Sequence, residues 1–221
     1  MSHDEKKISV AVLASGSGTN LEAIAQAMEE GEVPARIAMV ISDNPDAFAL
    51  ERADRRGIPT KVIELKDYPD RPAFDRAIKE ALRRAGVDLV VLAGYMKLIG
   101  KEILDAFPGR IMNIHPALLP SFPGEHGVAD ALRHGVKVSG VTVHFVDEGL
   151  DSGPIIVQEA VPIQEGDDQE SLHGRIHTAE YQAYPLAIKL FAQGRLKIEG
   201  RRVRILDEGD TSFPSPLGGE G

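Results

Sequence analysis

Asn113 and His115 stand one residue apart at the end of a short apolar run, Ile111 to Met112, and are followed by Pro116 and Pro120. The run reads as a buried strand and the prolines prevent it from continuing as strand or helix, so two polar side chains sit where a strand gives way to a loop. If strand geometry persists, Asn113 and His115 point the same way and Ile114 points into the core. An asparagine supplies a neutral N–H donor, and a histidine supplies a proton or a charge that switches near neutral pH. Together they could hold a carbonyl oxygen that turns negative during nucleophilic attack. Taken alone, such a pair is more often a turn cap beside a satisfied strand-end histidine.

Three further stretches carry residues suited to chemistry. Asp147, Glu148, Gly149, Leu150 and Asp151, followed by Ser152, Gly153 and Pro154, form a glycine-broken acidic loop. Acidic turns are usually just solvated; the sharper expectation sets Asp151 beside His115, accepting its N–H, raising its pKa and keeping it oriented. Ala14 to Asn20 is glycine-rich and opens a helical pattern. Its glycines let backbone approach a ligand, and the free N–H groups of the helix start, with Thr19 and Asn20, favour a phosphate. The bland reading is a tight turn with Thr19 or Asn20 as N-cap, since the stretch is neither a full Gly-x-Gly-x-x-Gly fingerprint nor a P-loop with its lysine. His177 and Glu180, three apart in a helical pattern, share one side of that helix.

These residues need elements to position them. Ile8 to Leu13 is apolar throughout, as expected of a strand covered on both faces, and Leu21, Ile24, Ala25 and Met28 follow at helical spacing. Ile37 to Ile41 reads as a second strand. Pro45 suits the first turn of a helix whose Phe48, Ala49 and Ala53 face inward, stopped by Gly57. Lys61 to Ile63 is a third strand. After a loop from Asp67 to Pro72, the residues Phe74, Ile78, Ala81, Leu82 and Ala85 mark a helix closed by Gly86. Asp88 to Ala93 is the most apolar strand and is expected to be central; in the loop behind it, Met96 and Leu98 would pack the next helix if packing alone decided. A short helix around Glu102 to Phe107 leads to the Asn113 strand. Ser121 to Gly127 is a turn-rich loop and Ala129 to His134 a short helix. Val141, Val143 and Phe145 alternate with Thr142 and His144, a strand with one polar face. Ile155 to Val157 is a further strand. Glu170 to Ala192 is a long helix with Leu172, Ile176, Ala179, Ala183, Leu186 and Leu190 on one face, where Pro185 implies a kink or a break. Leu196 to Ile198 and Val203 to Ile205 form a terminal hairpin. The alternation predicts a Rossmann-like α/β fold: a mostly parallel twisted sheet with right-handed crossovers, helices on both faces and a C-terminal hairpin.

The 221 residues suffice for one well-buried core, so a single domain is expected over 1–207, with a flexible tail over 208–221 rich in Gly, Pro and Ser. The absence of cysteine removes disulfides, thiolate metal sites and cysteine nucleophiles. The charged start MSHDEKKISV has no apolar core for a signal peptide, and no apolar run approaches membrane-spanning length, so a cytoplasmic location is expected. A net charge of −9, without a basic block, disfavours a nucleic-acid partner. It leaves open a local anion pocket built from backbone N–H groups.

Taken in order, ASGSGTNLEAI, VLAGYMKLI, IMNIHPALLPSFPG and FVDEGLDSGPIIVQ resemble the folate-dependent formyltransferases over essentially residues 8–206, and within them the branch acting on glycinamide ribonucleotide. The resemblance implies that Asn113, His115 and Asp151 are catalytic. It also implies that Gly18, Thr19 and Asn20 bind the substrate phosphate and that Glu180 holds the ribonucleotide, with His177 one turn earlier where the family often has Gln. Arg71, Met96, Lys97, Leu98 and Ile99, with Asn113 and the run Asp147, Glu148, Gly149, Leu150 and Asp151, would face the folate; Lys97 stands where Arg is frequent. The implied co-substrate is 10-formyltetrahydrofolate, with no metal, small-molecule partners only, no membrane, and a monomer or homodimer. Two related activities fit less well. A methionyl-tRNA formyltransferase would call for a further C-terminal domain and a basic surface, and a formyltetrahydrofolate hydrolase for an N-terminal regulatory domain. Outside the family, a nucleotide-binding module using the glycine turn alone is the alternative.

Overall fold

The computed structural model describes residues 7–207 and residue 209. The tail expected over 208–221 lies, apart from Gly209, outside the described residues.

Strand β1 (Ile8–Leu13) is buried at every position, and its alternate residues serve two different cores. Val10 and Val12 point to a layer made by α1 (Thr19–Glu29), α2 (Phe48–Arg55), α5 (Gly127–His134) and α6 (Gln169–Ala192). Ala11 and Leu13 point to the opposite layer, made by α3 (Arg71–Arg84) and α4 (Lys101–Ala106). A strand sandwiched between helical layers has no use for a polar face, which is why its sequence is apolar without alternation.

One nine-stranded sheet runs β3-β2-β1-β4-β5-β6-β7-β9-β8. Its first five strands, β3 (Thr60–Val62), β2 (Ala35–Ser42), β1, β4 (Leu89–Leu92) and β5 (Ile111–His115), are parallel throughout. β6 (Val138–Phe145) and β7 (Ile155–Pro162) add on antiparallel, and β8 (Leu196–Glu199) and β9 (Arg202–Ile205) form the terminal hairpin. The chain winds outward in both directions from the β1/β4 pair, so the turns after β1 and β4 leave on opposite sides of one crevice, where ligands bind in open α/β sheets.

Several local expectations are corrected. Pro45 does not open α2; it lies in an Asn44 turn, where Asp46 N–H donates to Asn44 Oδ1 at 3.0 Å, and α2 starts at Phe48. Phe48 points outward, its ring covered by the guanidinium groups of Arg52 and Arg55 at 4.9 and 5.3 Å, so two cations replace the core as its cover. Arg71 and Pro72 belong to the first turn of α3, because Asp70 caps it by accepting from Ala73 N–H at 2.8 Å. Pro185 does not break α6, which runs on to Ala192, and Leu186 lies exposed on its outer face. The proline sits among buried neighbours, Tyr184 and Ala187, whose packing holds the helix through the missing N–H. β7 extends to Pro162. The expected polar face of β6 is present, and its Thr142 and His144 are buried.

Candidate active site

On β5, Met112 and Ile114 face the α1/α6 layer while Ile111 faces the α3/α4 layer, so by alternation Asn113 and His115 lie on the α3/α4 side. Past Ile111 the polar side chains of β5 lie beside those of β6, with Asn113 opposite His144 and His115 opposite Thr142, and the first residue of α5, Gly127, lies close against the His115 ring. Backbone of the loop after β5 closes over this strip: Thr142 Oγ1 donates to Ala117 O at 2.7 Å and accepts from Leu119 N–H at 3.0 Å, and Gln158 of β7 donates to Leu119 O at 2.9 Å. The polar face of β6 thus exists to hold that loop and to bring His144 beside Asn113.

Asp151 reaches the same strip from the loop after β6, in a left-handed conformation with φ 49°. Asn113 Nδ2 lies 3.3 Å from one of its carboxylate oxygens; His115 Nδ1 lies 3.4 Å, and Gly124 N–H donates at 2.8 Å, to the other. His144 Nε2 stands 3.3 Å from Asn113 Nδ2 and 3.7 Å from Asp151 Oδ1. Burial pushes the Asp151 carboxyl up, yet His144, the Gly124 N–H and His115 together outweigh it, and its pKa falls to about 2. The carboxylate is therefore ionised at any physiological pH. His115 is buried with both ring nitrogens facing oxygen atoms, Asp151 3.4 Å from Nδ1 and Phe122 O 2.7 Å from Nε2. Asn113 is different. Its two amide contacts are long, hence weak, and an incoming oxygen can replace them at little cost.

The structure thus brings Asn113, His115 and Asp151, expected together, into one cluster. His144 was not singled out, although a histidine in a strand of alternating polar residues, directly ahead of the Asp151 loop, was the available signal.

At the β1–α1 turn, Gly18 precedes the helix at φ 73°, and a Cβ there would stand 2.7 Å from Ala49 Cα. Only glycine satisfies both the left-handed backbone and the close approach of α2. The cap makes no side-chain hydrogen bond, so neither Thr19 nor Asn20 is the N-cap. Asn20 is buried, donates to Glu180 Oε2 at 3.0 Å, and has its own Oδ1 buried without a partner. His177 Nδ1 meets the same Glu180 oxygen at 2.7 Å, and its ring stacks on His173 at 4.2 Å. The Glu180 hydrogen bond raises the His177 pKa against burial, whereas burial and the neighbouring His177 charge lower that of His173. Gly18, Thr19, Asn20, His177 and Glu180 thus form one patch spanning the start of α1 and the first half of α6.

Of the residues expected on the folate side, Met96 to Ile99 and Asp147 to Asp151 fall on two loops, while Arg71 opens α3 and Asn113 lies on β5. Behind β4, Met96 is 61% and Leu98 is 68% exposed, so neither packs the next helix, while Ile99 packs against the α3/α4 core. Arg71 donates to Asp75 at 2.9 Å and to the Leu98 carbonyl, propping the loop from below. Lys97 lies 3.6 Å from Asp43, whose other oxygen accepts from Ser15 Oγ at 2.5 Å; Met96 N–H donates to that same Ser15 Oγ at 2.8 Å. The β1 and β4 loops are thereby tied across the crevice. In the loop after β6, Asp147 accepts from Gly149 N–H at 3.0 Å and Ser152 Oγ at 2.6 Å, Leu150 is exposed, and Glu148 stands 3.9 Å from Lys101. Two surface grooves against α6, of about 290 and 450 Å³, are not lined by Asn113, His115 or Asp151. Among the described residues no helix is long and apolar enough to cross a membrane.

The sequence that builds this doubly wound sheet, with its glycine turn and polar strip, matches the formyl transferase family over residues 8–188, and the chain belongs to that family. It is 50% identical, over 81% of its length and 92% of the relative's, to phosphoribosylglycinamide formyltransferase of Bacillus subtilis (strain 168). The relative of the same name from Mycobacterium tuberculosis (strain ATCC 25618 / H37Rv) is 46% identical over 88% of this chain and 92% of that one. The crystal structure of glycinamide ribonucleotide transformylase 1 from Symbiobacterium toebii superposes with a TM-score of 0.90 at 57% identity, covering 91% of this chain and 95% of the other.

Proposed function

We propose that this chain transfers the formyl group of 10-formyltetrahydrofolate to the amine of glycinamide ribonucleotide, a step of purine synthesis, on small-molecule substrates in the cytoplasm. The single observation that carries the mechanism is the meeting of Asn113, His115 and Asp151 within 3.3 to 3.4 Å, from segments far apart in sequence. Family membership and the named relatives support the choice of substrates.

The ribonucleotide phosphate lies on the N–H groups opening α1 at Gly18, Thr19 and Asn20, where the helix dipole favours an anion, and Glu180 and His177 hold the rest of the molecule. The folate rests against the exposed apolar side chains of Met96, Leu98 and Leu150. The free amine attacks the formyl carbon, a C–N bond forms, and the carbonyl oxygen becomes an oxyanion. Asn113 gives up its long contacts and donates to that oxygen, while the His115 imidazolium places positive charge beside it. Asp151 stabilises the imidazolium and, through water, relays the proton lost by the attacking amine to the folate nitrogen that departs. Loss of one oxyanion donor of this type costs about 3 to 4 kcal/mol, roughly a hundred- to thousandfold in rate.

The test is formyl transfer by the purified chain, with a control in which water is the only acceptor. Formylated ribonucleotide formed in step with loss of the donor supports the reading. Release of formate alone, regardless of ribonucleotide, would establish a hydrolase instead.

A further inference from the structure

The patch that holds the amine and the strip that holds the carbonyl lie on opposite faces of the sheet. Glu180 belongs to α6, on the α1/α6 side, whereas Asn113 projects on the α3/α4 side. Reaction can occur only over the carboxyl edge of the sheet, so its geometry depends on how firmly α6 is registered against the end of β5.

Tyr184 sits one helical turn after Glu180, is completely buried, and is among the largest buried side chains. Its hydroxyl reaches into the plane of the sheet and donates to two backbone carbonyls, Leu92 O at 2.8 Å and Met112 O at 3.0 Å. One proton is shared between two strands. Leu92 is the last residue of β4, just ahead of the loop carrying Met96 and Leu98, and Met112 immediately precedes Asn113. Leu92 and Asn113 are also the last paired positions of the β4–β5 ladder. The phenol therefore bonds to the base of the folate loop and to the peptide before Asn113, from the helix that bears Glu180.

We infer that Tyr184 is a positioning residue for formyl transfer: its hydroxyl registers the helix holding the amine against the strand holding the carbonyl. It touches neither substrate. Its effect falls on the distance and angle of attack, to which rate is far more sensitive than binding is.

Tyr184→Phe keeps the ring and removes only the hydroxyl. The expected result is a kcat about tenfold lower, with the KM of each substrate within about twofold of wild type, and a larger share of formyl groups lost to water as the amine is misaligned. A purely structural role predicts a lower melting temperature with unchanged kcat for the folded fraction. Unchanged kcat, a loss residing in KM, or a loss that tracks unfolding would each overturn the inference. Should the variant fail to fold, 3-fluorotyrosine installed at position 184 keeps ring and hydroxyl but alters donor strength; kcat must then change without KM, and an unchanged kcat overturns the inference. The inference rests on the formyl-transfer reading: an inactive wild type defeats that reading, whereas an active wild type with an unimpaired Tyr184→Phe variant defeats this inference alone.

Discussion

At Asp151 the N–H of Gly124, the amide of Asn113 and the imidazoles of His115 and His144 all converge on one carboxylate. Such a carboxylate is a fixed negative charge, and activity near neutral pH owes no limb to its titration. In the proposed ribonucleotide patch the group whose pKa is raised is His177. Glu180 holds it above its usual value, and the neighbours facing it are His173, Tyr181 and, across the shared Glu180 oxygen, Asn20. As pH rises through the raised His177 value the positive edge is lost, so the KM for ribonucleotide is expected to climb on the alkaline side while that for folate does not. His177→Gln should flatten that limb; an identical limb in the variant would remove His177 from the site. Asn20→Ala should raise the ribonucleotide KM well above any effect on the folate KM. Equal effects on both would show that Asn20 does not belong to the ribonucleotide patch. The meeting of Asp151 with His115 was legible as an expectation because polar side chains at the end of an apolar strand call for a partner, whereas the substrate-side residues were named only through the family resemblance. His144 was not legible, because alternation in β6 gives the face but not what lies across it.

The elements do their work through contacts at their ends. Gly18 is where α1 begins and where α2 presses closest, and the adjoining turn is held by Ala49 N–H donating to Gly16 O at 3.0 Å and Arg52 Nε donating to Ser17 O at 2.9 Å. Gly18→Ala forces a left-handed alanine into Ala49. A destabilisation of about 1–3 kcal/mol is expected, with a rise in ribonucleotide KM in the protein that still folds. Equilibrium denaturation alongside steady-state kinetics checks both; a neutral effect would mean that the turn relaxes freely and does not preorganise the phosphate seat. Hydrophobic period gave the cores of the parallel strands and the burial of Ile114, because strands covered on both faces leave no ambiguity. It misplaced Phe48 and Leu186, since periodicity identifies an apolar position but not whether a helix or two arginines will cover it.

Over the whole molecule, the doubly wound half of the sheet brings the β1–α1 turn and the loop after β4, the proposed phosphate and folate seats, to one crevice, and the antiparallel half delivers Asp151 to the end of β5. Folding and site assembly are therefore linked through Asp151. Its pKa of about 2 in the folded state lies below the ordinary carboxylate value, so the stability it contributes is complete above about pH 4 and is lost as pH falls toward 2. That contribution is on the order of 2 kcal/mol. The gap in stability between wild type and Asp151→Asn should be constant from pH 7 to 5 and close below pH 4; a gap unchanged down to pH 2 would show that the shift is absent. The order of strands beyond β5 was not legible, because nothing in an alternating pattern distinguishes a parallel from an antiparallel neighbour.

The most direct measurement is steady-state formyl transfer by His115→Ala and Asp151→Asn beside wild type, with both substrates varied and folding verified. A loss in kcat of roughly a hundredfold or more in each, with both KM values changed only a few-fold, is the expected result. Near-wild-type kcat in either folded variant would contradict a carbonyl held by the cluster of Asn113, His115 and Asp151.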